Sequence, residues 1–264
     1  MIRSILIAVL VCFSLPAIGY ELSGNAIQGG MMIGRDAAGL EVTVDGKPVR
    51  VSPDGVFVFG FGRDHAETVT LTVGGDTQVI SVARRDYVTQ RIDGLPSKMV
   101  TPAPETLARI RAENADIAKA RAFDTPETWF AQDWIWPSIG PISGVYGSQR
   151  ILNGKPRRPH FGVDVAGPTG TPVVAPADGI VRFARTGLYF TGGTLILDHG
   201  HGVTSTFIHL SELTVEVGQK VIQGEKIAEI GATGRVTGPH LDWRINWFGE
   251  RLDPQLLVGP MPES

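Results

Sequence analysis

Cysteine is almost missing: the 264 residues contain one, Cys12. Disulfides therefore cannot hold the folded part together. There is no excess of charge of one sign either. Lys and Arg number 24 against 27 Asp and Glu, for a net charge of -3, which excludes the strongly basic face of a nucleic-acid binder. Long apolar helical runs are scarce. Glycine and proline are plentiful, at 33 and 18, in a chain that is 42% hydrophobic and 19% charged. That composition excludes wholesale disorder and predicts a turn-rich β protein. At roughly 100–200 residues per domain, the length fits one large domain or two modest ones.

The N-terminal segment is the one clear apolar run. Arg3 precedes Ile5 to Leu15, a stretch too short for a stable membrane span, and Ala17-Ile18-Gly19 supplies a small-x-small cleavage pattern. Residues 1–19 read as a secretory signal peptide, with an uncleaved anchor as the alternative. Cys12 lies too early for a lipoprotein attachment site. The expectation is an exported, periplasmic protein without a membrane span in its mature chain.

Residues 20–100 read as a small antiparallel, sandwich-like β domain: Leu40 to Val44 alternates, Asp45-Gly46 marks a hairpin, and Thr68 to Val73 pairs with Gln78 to Val82. His65 stands alone there in a polar loop. Residues 101–139 form a helical linker and a tryptophan-rich strap. The helix runs from Glu105 to Phe123, with Leu107, Ile110, Ile117 and Ala118 on one face. Trp129, Trp134 and Trp136 pack the strap on the next domain, or alternatively form a carbohydrate platform. Residues 140–258 have many short strands and Gly/Pro turns, and residues 259–264 form a tail. Five of the six histidines fall between His160 and His240.

Within that region, His160-Phe161-Gly162-Val163-Asp164 joins an imidazole and a carboxylate, both natural zinc ligands. On a straight strand they lie about 13 Å apart, so a bend at Gly162 is needed. His240-Leu241-Asp242-Trp243-Arg244-Ile245 has period two. Leu241, Trp243 and Ile245 share one face, while His240, Asp242 and Arg244 share the other. Asp242 is either a metal ligand or half of a surface ion pair with Arg244. His209 ends an alternating strand, Thr206 to Ser211. His199-Gly200-His201 has ligand-like spacing, but its flanking glycines predict a mobile, exposed hairpin turn with hydrogen-bonding roles.

In order, HFGVD, GTPVVAPADGIV, LDHGHGVTSTFIHLS, VGQKVIQGEKIAEIGATG and GPHLDW resemble the lysostaphin-like (LytM-type) zinc endopeptidases of peptidoglycan over residues 140–257. The resemblance implies a mainly β fold: a C-terminal lysostaphin-like β barrel or sandwich, preceded by the small antiparallel β domain and the linking helix. It implies Zn2+ on His160 and Asp164, with His209 and His240 as catalytic histidines that activate water and stabilise the oxyanion. The family's third ligand is the second His of an HxH, where this chain has Asp242. Aspartate binds zinc, but two carboxylates cancel the metal's charge and make its bound water less acidic. Arg244 either offsets this by holding the far oxygen of Asp242 or sequesters it.

The function implied is an exported zinc metalloendopeptidase acting on peptidoglycan stem-peptide cross-links. One alternative is a degenerate member that binds and activates a cell-wall amidase or serves as a regulatory partner. Another is a wall-binding module built on the β domain and tryptophans.

Overall fold

Asp45 and Gly46 both take positive φ, 47° and 72°, and make the two-residue turn that an Asp-Gly pair signals. This hairpin belongs to a computed structural model that describes residues 19–262. Residues 1–18 of the expected signal peptide lie outside the described residues. The first strands are β1 (Glu21–Gly24), β2 (Met31–Arg35), β3 (Val42–Val44), β4 (Lys47–Val49), β5 (Phe57–Gly60), β6 (Thr68–Val73) and β7 (Asp76–Ser81). They form two antiparallel sheets, β1-β2-β5 and β4-β3-β6-β7. Alternation along β6 buries Val69, Leu71 and Val73, and these meet Phe57, Phe59 and Phe61 in one core. His65 is half-buried, its ring set edge-on to Phe61 at 5.0 Å, rather than freely solvated.

β8 (Thr89–Ile92), α1 (Ser97–Val100) and α2 (Pro104–Ala120) come next. β8 leaves the first part and pairs in parallel with a strand of the second, Thr89 opposite Gln149. Pro104 opens α2, where its missing N–H is harmless. Of the four residues expected on the apolar face, Ile110 and Ile117 are buried, but Leu107 is 39% exposed and Ala118 is exposed. The helix docks through its last turn, Ile117 and Ala120 against Phe183, Leu188 and Ile196, so Leu107 at the other end gains no cover.

The second part contains β9 (Ile142–Gly144), β10 (Gln149–Leu152), β11 (Lys155–Pro156), β12 (Val163–Ala166), β13 (Pro172–Val174), β14 (Gly179–Leu188) and β15 (Gly192–Asp198). It continues with β16 (Val203–Leu210), β17 (Glu212–Leu213), β18 (Lys220–Val221), β19 (Lys226–Glu229), β20 (His240–Trp247) and β21 (Glu250–Leu252). The largest sheet runs β18-β14-β15-β16-β20-β12-β9, with β21 on β20. The protein is therefore mainly β, as the turn-rich composition predicts.

One face of that sheet presents Val163, Val165, Leu195, Phe207, Leu241 and Trp243 to the core. Trp134 and Trp136 of the strap pack on Trp243, with ring centroids 6.4 and 6.0 Å away. Both are buried, which removes them as a carbohydrate platform. The strap also corrects the reading of His199-Gly200-His201. The segment is a turn, but both histidines are buried, because His201 N–H donates to Thr125 O and Phe130 N–H donates to His199 O. His199 does have the expected hydrogen-bonding role: Nδ1 donates to Asp178 O at 2.6 Å and Nε2 accepts from Ser205 at 2.8 Å.

The two parts share apolar packing, with Met31 and Val58 in the second core and Trp247 against the first, and polar contacts as well. Arg85 Nη1 lies 2.8 Å from Asp253 Oδ2, and that carboxylate is 2% exposed. Asp253 N–H donates to Gly29 O, and Asn25 Nδ2 donates to Leu256 O at 3.0 Å. Among the described residues, no helix is long and apolar enough to cross a membrane.

Candidate metal centre

Asp164 on β12 and Asp242 on β20 are direct cross-strand partners. They occupy the face opposite Val163, Val165, Leu241 and Trp243, as alternation requires. Like charges so placed repel, and these two are buried, at 5% and 0% exposed. Three cationic or polar groups answer them. Arg150 Nη2 lies 2.7 Å from Asp164 Oδ2. Arg244 Nε donates to Asp242 Oδ1 at 2.8 Å while its Nη2 takes Oδ2, the two-pronged geometry that suits guanidinium and carboxylate. His160 Nε2 lies 3.0 Å from Asp164 Oδ1 and 3.2 Å from Asp242 Oδ2.

Burial alone would raise the Asp242 carboxyl's pKa, but Arg244 and His160 hold it well below the usual carboxylate range. Burial and Asp242 likewise push Asp164 up, and His160 with Arg150 brings it below its ordinary value. Burial lowers His160, while Asp242 and Asp164 outweigh that and raise it. Arg150, Arg244 and, from the end of α2, Arg121 cover this face.

His160 precedes β12, so the chain is bent there and the distance across HFGVD shrinks from the extended value. Gly162 makes this possible by close approach and not by a left-handed backbone. A Cβ on it would meet Trp243 O and Arg244 Cγ at 2.6 Å, and Asp242 Oδ1 nearer still. Gly144 on β9 is similar, since a Cβ there would strike the Asp164 carboxylate.

His209 reaches the same face through a β-bulge. Gly193 pairs with Leu210 and Leu195 pairs with Phe207, so Thr194 faces both Ile208 and His209. His209 takes φ 70°, a left-handed conformation that a non-glycine residue adopts at a cost. Strict alternation would have put it beside Phe207 in the core. Its ring centroid instead lies 4.9 Å from that of His240. Nδ1 of His209 donates to Thr233 O at 2.8 Å, and Nδ1 of His240 donates to Gly238 O at 2.9 Å. A neutral imidazole that donates through Nδ1 keeps Nε2 unprotonated, and His240 Nε2 lies 3.9 Å from Asp164 Oδ1. Burial drives the His209 pKa down to about 4, with His240 adding to the effect against Asp242.

The ligand-type atoms of His160, Asp164 and Asp242 all lie within 4.8 Å of one another. A tetrahedral zinc with bonds of about 2.0 Å has ligand atoms about 3.3 Å apart, close to the two spacings from His160 Nε2. Asp164 Oδ1 is buried with no hydrogen-bond partner despite lying beside that nitrogen. A bare, buried carboxylate oxygen beside an imidazole nitrogen and a second carboxylate is a place for a cation that would displace the imidazole proton, and the three residues fit zinc. All six sequence-selected residues, Arg244 included, are thus in one cluster. Arg150 was missed. It lies 14 residues before Asp164 and outside every motif, and nothing in its neighbours Gln149 and Ile151 marks it.

A β-sheet face with a carboxylate pair, a bridging imidazole and two further histidines has the layout of a hydrolytic metal centre. The chain matches the model of Peptidase family M23 over residues 158–254. It superposes on a crystal structure of a putative peptidase M23 from Pseudomonas aeruginosa with TM-score 0.70 and 30% identity, covering 89% of this chain and 96% of that one. This chain belongs to peptidase family M23. Peptidoglycan DD-endopeptidase ShyA of Vibrio cholerae is 40% identical over 106 residues, which is 40% of this chain and 24% of that protein. DD-carboxypeptidase/endopeptidase Mpg of Neisseria meningitidis is 41% identical over 107 residues, again 40% of this chain and 24% of its own. A lipoprotein NlpD/LppB homolog of Pseudomonas aeruginosa is 36% identical over 121 residues, 46% of this chain and 38% of that protein. The chain thus matches about a quarter of the length of the two endopeptidases.

Proposed function

We propose that this protein is an exported, zinc-dependent endopeptidase that hydrolyses peptide cross-links of peptidoglycan. The carrying observation is the convergence of His160, Asp164 and Asp242 around the unpartnered Asp164 Oδ1, with two Nδ1-tied histidines alongside. Its likeness to named peptidoglycan endopeptidases supports the substrate, and the segment 1–19 supports export.

His160 Nε2, Asp164 Oδ1 and an oxygen of Asp242 would hold the zinc, which supplies a Lewis acid and acidifies water. Arg150 and Arg244 draw charge from the two carboxylates, which offsets the loss of acidity that a second aspartate would cause. His209 is neutral throughout the physiological range, so its Nε2 is free to accept a proton. His240 presents the same nitrogen toward the cluster. One ring takes the proton of the attacking water, and the protonated ring returns it to the leaving amine.

A second reading has specific support. Arg244 occupies both oxygens of Asp242, and His160 Nδ1 is buried without the acceptor that usually orients a ligand histidine. On that reading the protein is a regulator of a wall amidase. Zinc content and muropeptide release of wild type, Asp242→Ala and Asp242→His separate the two. One equivalent of zinc with cleavage lost in Asp242→Ala establishes the endopeptidase. A metal-free, inactive wild type that Asp242→His endows with zinc and cleavage establishes the regulator.

A further inference from the structure

Beside the metal-ligand cluster, between α2 and the covered sheet face, lies a cavity of about 740 Å³. His160 and His209 form part of its wall. Seven arginines line it, and among the described residues no aspartate or glutamate does. Two of the seven, Arg150 and Arg244, already hold carboxylates. The other five, Arg121, Arg157, Arg158, Arg235 and Arg251, pair with no carboxylate among the described residues.

Their hydrogen bonds are few for groups that each offer five donors. Arg121 gives Nε and Nη2 to Thr206 Oγ1 at 3.2 and 3.1 Å. Arg235 reaches Met99 O at 3.3 Å, and Arg251 reaches Asn246 Oδ1 at 3.4 Å. Burial first, and then neighbouring arginines, pushes Arg235 and Arg251 down to about 10 and Arg121 well below its ordinary value. Half-buried guanidinium groups turned toward one another are costly unless an anion joins them. Phe161, Phe190, Ile117 and Ile208 supply apolar wall between the charges, so the occupant is amphipathic. The volume is in the range that encloses a small organic ligand.

We propose that this cavity recognises the carboxylates of an acidic peptide, clamped by Arg121, Arg235 and Arg251 and laid against His160 and His209. The inference rests on the peptidase reading of the neighbouring site, which makes a peptide the occupant. The guanidinium fork matches a carboxylate in two-pronged fashion, and several such forks around one space select a peptide with more than one acidic group.

The test is calorimetric titration of the full-length protein at low salt with tri-D-glutamate, its fully amidated counterpart, and inorganic pyrophosphate. Zinc content and muropeptide release are measured on the same preparations. The triacid is expected to bind at least about tenfold more tightly than the amide, with Arg235→Gln and Arg251→Gln each weakening it about 10- to 100-fold, the loss of one charged hydrogen bond. If either variant does not fold, the acid-against-amide comparison on wild type decides alone. Equal binding of acid and amide overturns the proposal, as does pyrophosphate binding more tightly than the triacid, which would make this a phosphate site. Muropeptide release without acid selectivity sinks the pocket and leaves the endopeptidase. Acid selectivity without zinc or cleavage sinks the endopeptidase and leaves the pocket.

Discussion

A methyl group on Gly162 would press on Trp243 O, Arg244 Cγ and Asp242 Oδ1 at once. Gly162→Ala is therefore expected to displace Asp242 from His160, abolish stoichiometric zinc binding and cost about 1–3 kcal/mol of stability. Zinc titration and urea unfolding measure both, and tight zinc in the variant would show that the cluster tolerates a shift. The sequence made a glycine necessary between His160 and Asp164 for a bend, and the chain does bend at Gly162, but the bend is only half of its role. Its actual partner is a strand 80 residues on, which no local pattern reports. His199 gives a second residue-scale prediction. Burial holds its pKa at about 4, against about 6.5 in the unfolded chain. The unfolded state then binds more protons between those values, so stability falls as pH drops from about 6.5 to about 4, by up to about 1.4 kcal/mol per pH unit. His199→Asn, which keeps a donor toward Asp178 O, should flatten that slope in urea midpoints at pH 7 and 5. An unchanged slope would assign the acid sensitivity to other groups.

At the scale of elements, β20 was legible and β16 was not. The period-two pattern of Leu241, Trp243 and Ile245 fixed the face that Asp242 and Arg244 share, because nothing interrupts that strand's pairing with β12 and β16. On β16 the bulge at Ile208 and His209 reverses what alternation predicts, and a bulge depends on the strand opposite. Gly193 is where that strand yields, since a Cβ there would strike Leu210 O. Gly193→Ala should thus move His209 while leaving His160, Asp164 and Asp242 in register. If the endopeptidase reading holds, zinc stoichiometry stays and kcat falls about 10²- to 10⁴-fold, the usual worth of a general base. Loss of zinc along with kcat would mean that the bulge supports the whole cluster. For α2, the amphipathic pattern identified a helix but not its docking end, which is set by Phe183, Leu188 and Ile196.

Across the whole molecule, the antiparallel first part and the strand-rich second part were readable from turn dipeptides, but their joint was not. β8 pairs with β10, and Arg85 meets Asp253, over sequence separations that carry no periodic signal. All five tryptophans, Trp129, Trp134, Trp136, Trp243 and Trp247, lie in the strap and second part, so fluorescence follows mainly that part, with Trp247 also touching the first core, while far-UV circular dichroism follows both. The two unfolding curves of wild type should coincide. In Asp253→Ala, which leaves Arg85 without its carboxylate, stability should drop by roughly 3 kcal/mol and an earlier dichroism phase should separate. Curves that stay together would show that apolar contact suffices to couple the parts.

The bond from Asn25 to Leu256 spans 231 positions, and it has a consequence in time. At about 5–20 residues per second, synthesis takes roughly 12–46 seconds between those two residues. Arg85 waits for Asp253 over 168 positions, and His160 waits for Asp242 over 82. The joint between the two parts and the pairing of Asp164 with Asp242 therefore form only when nearly all of the chain has been made, whereas the first part's own sheets and core need nothing beyond its early residues.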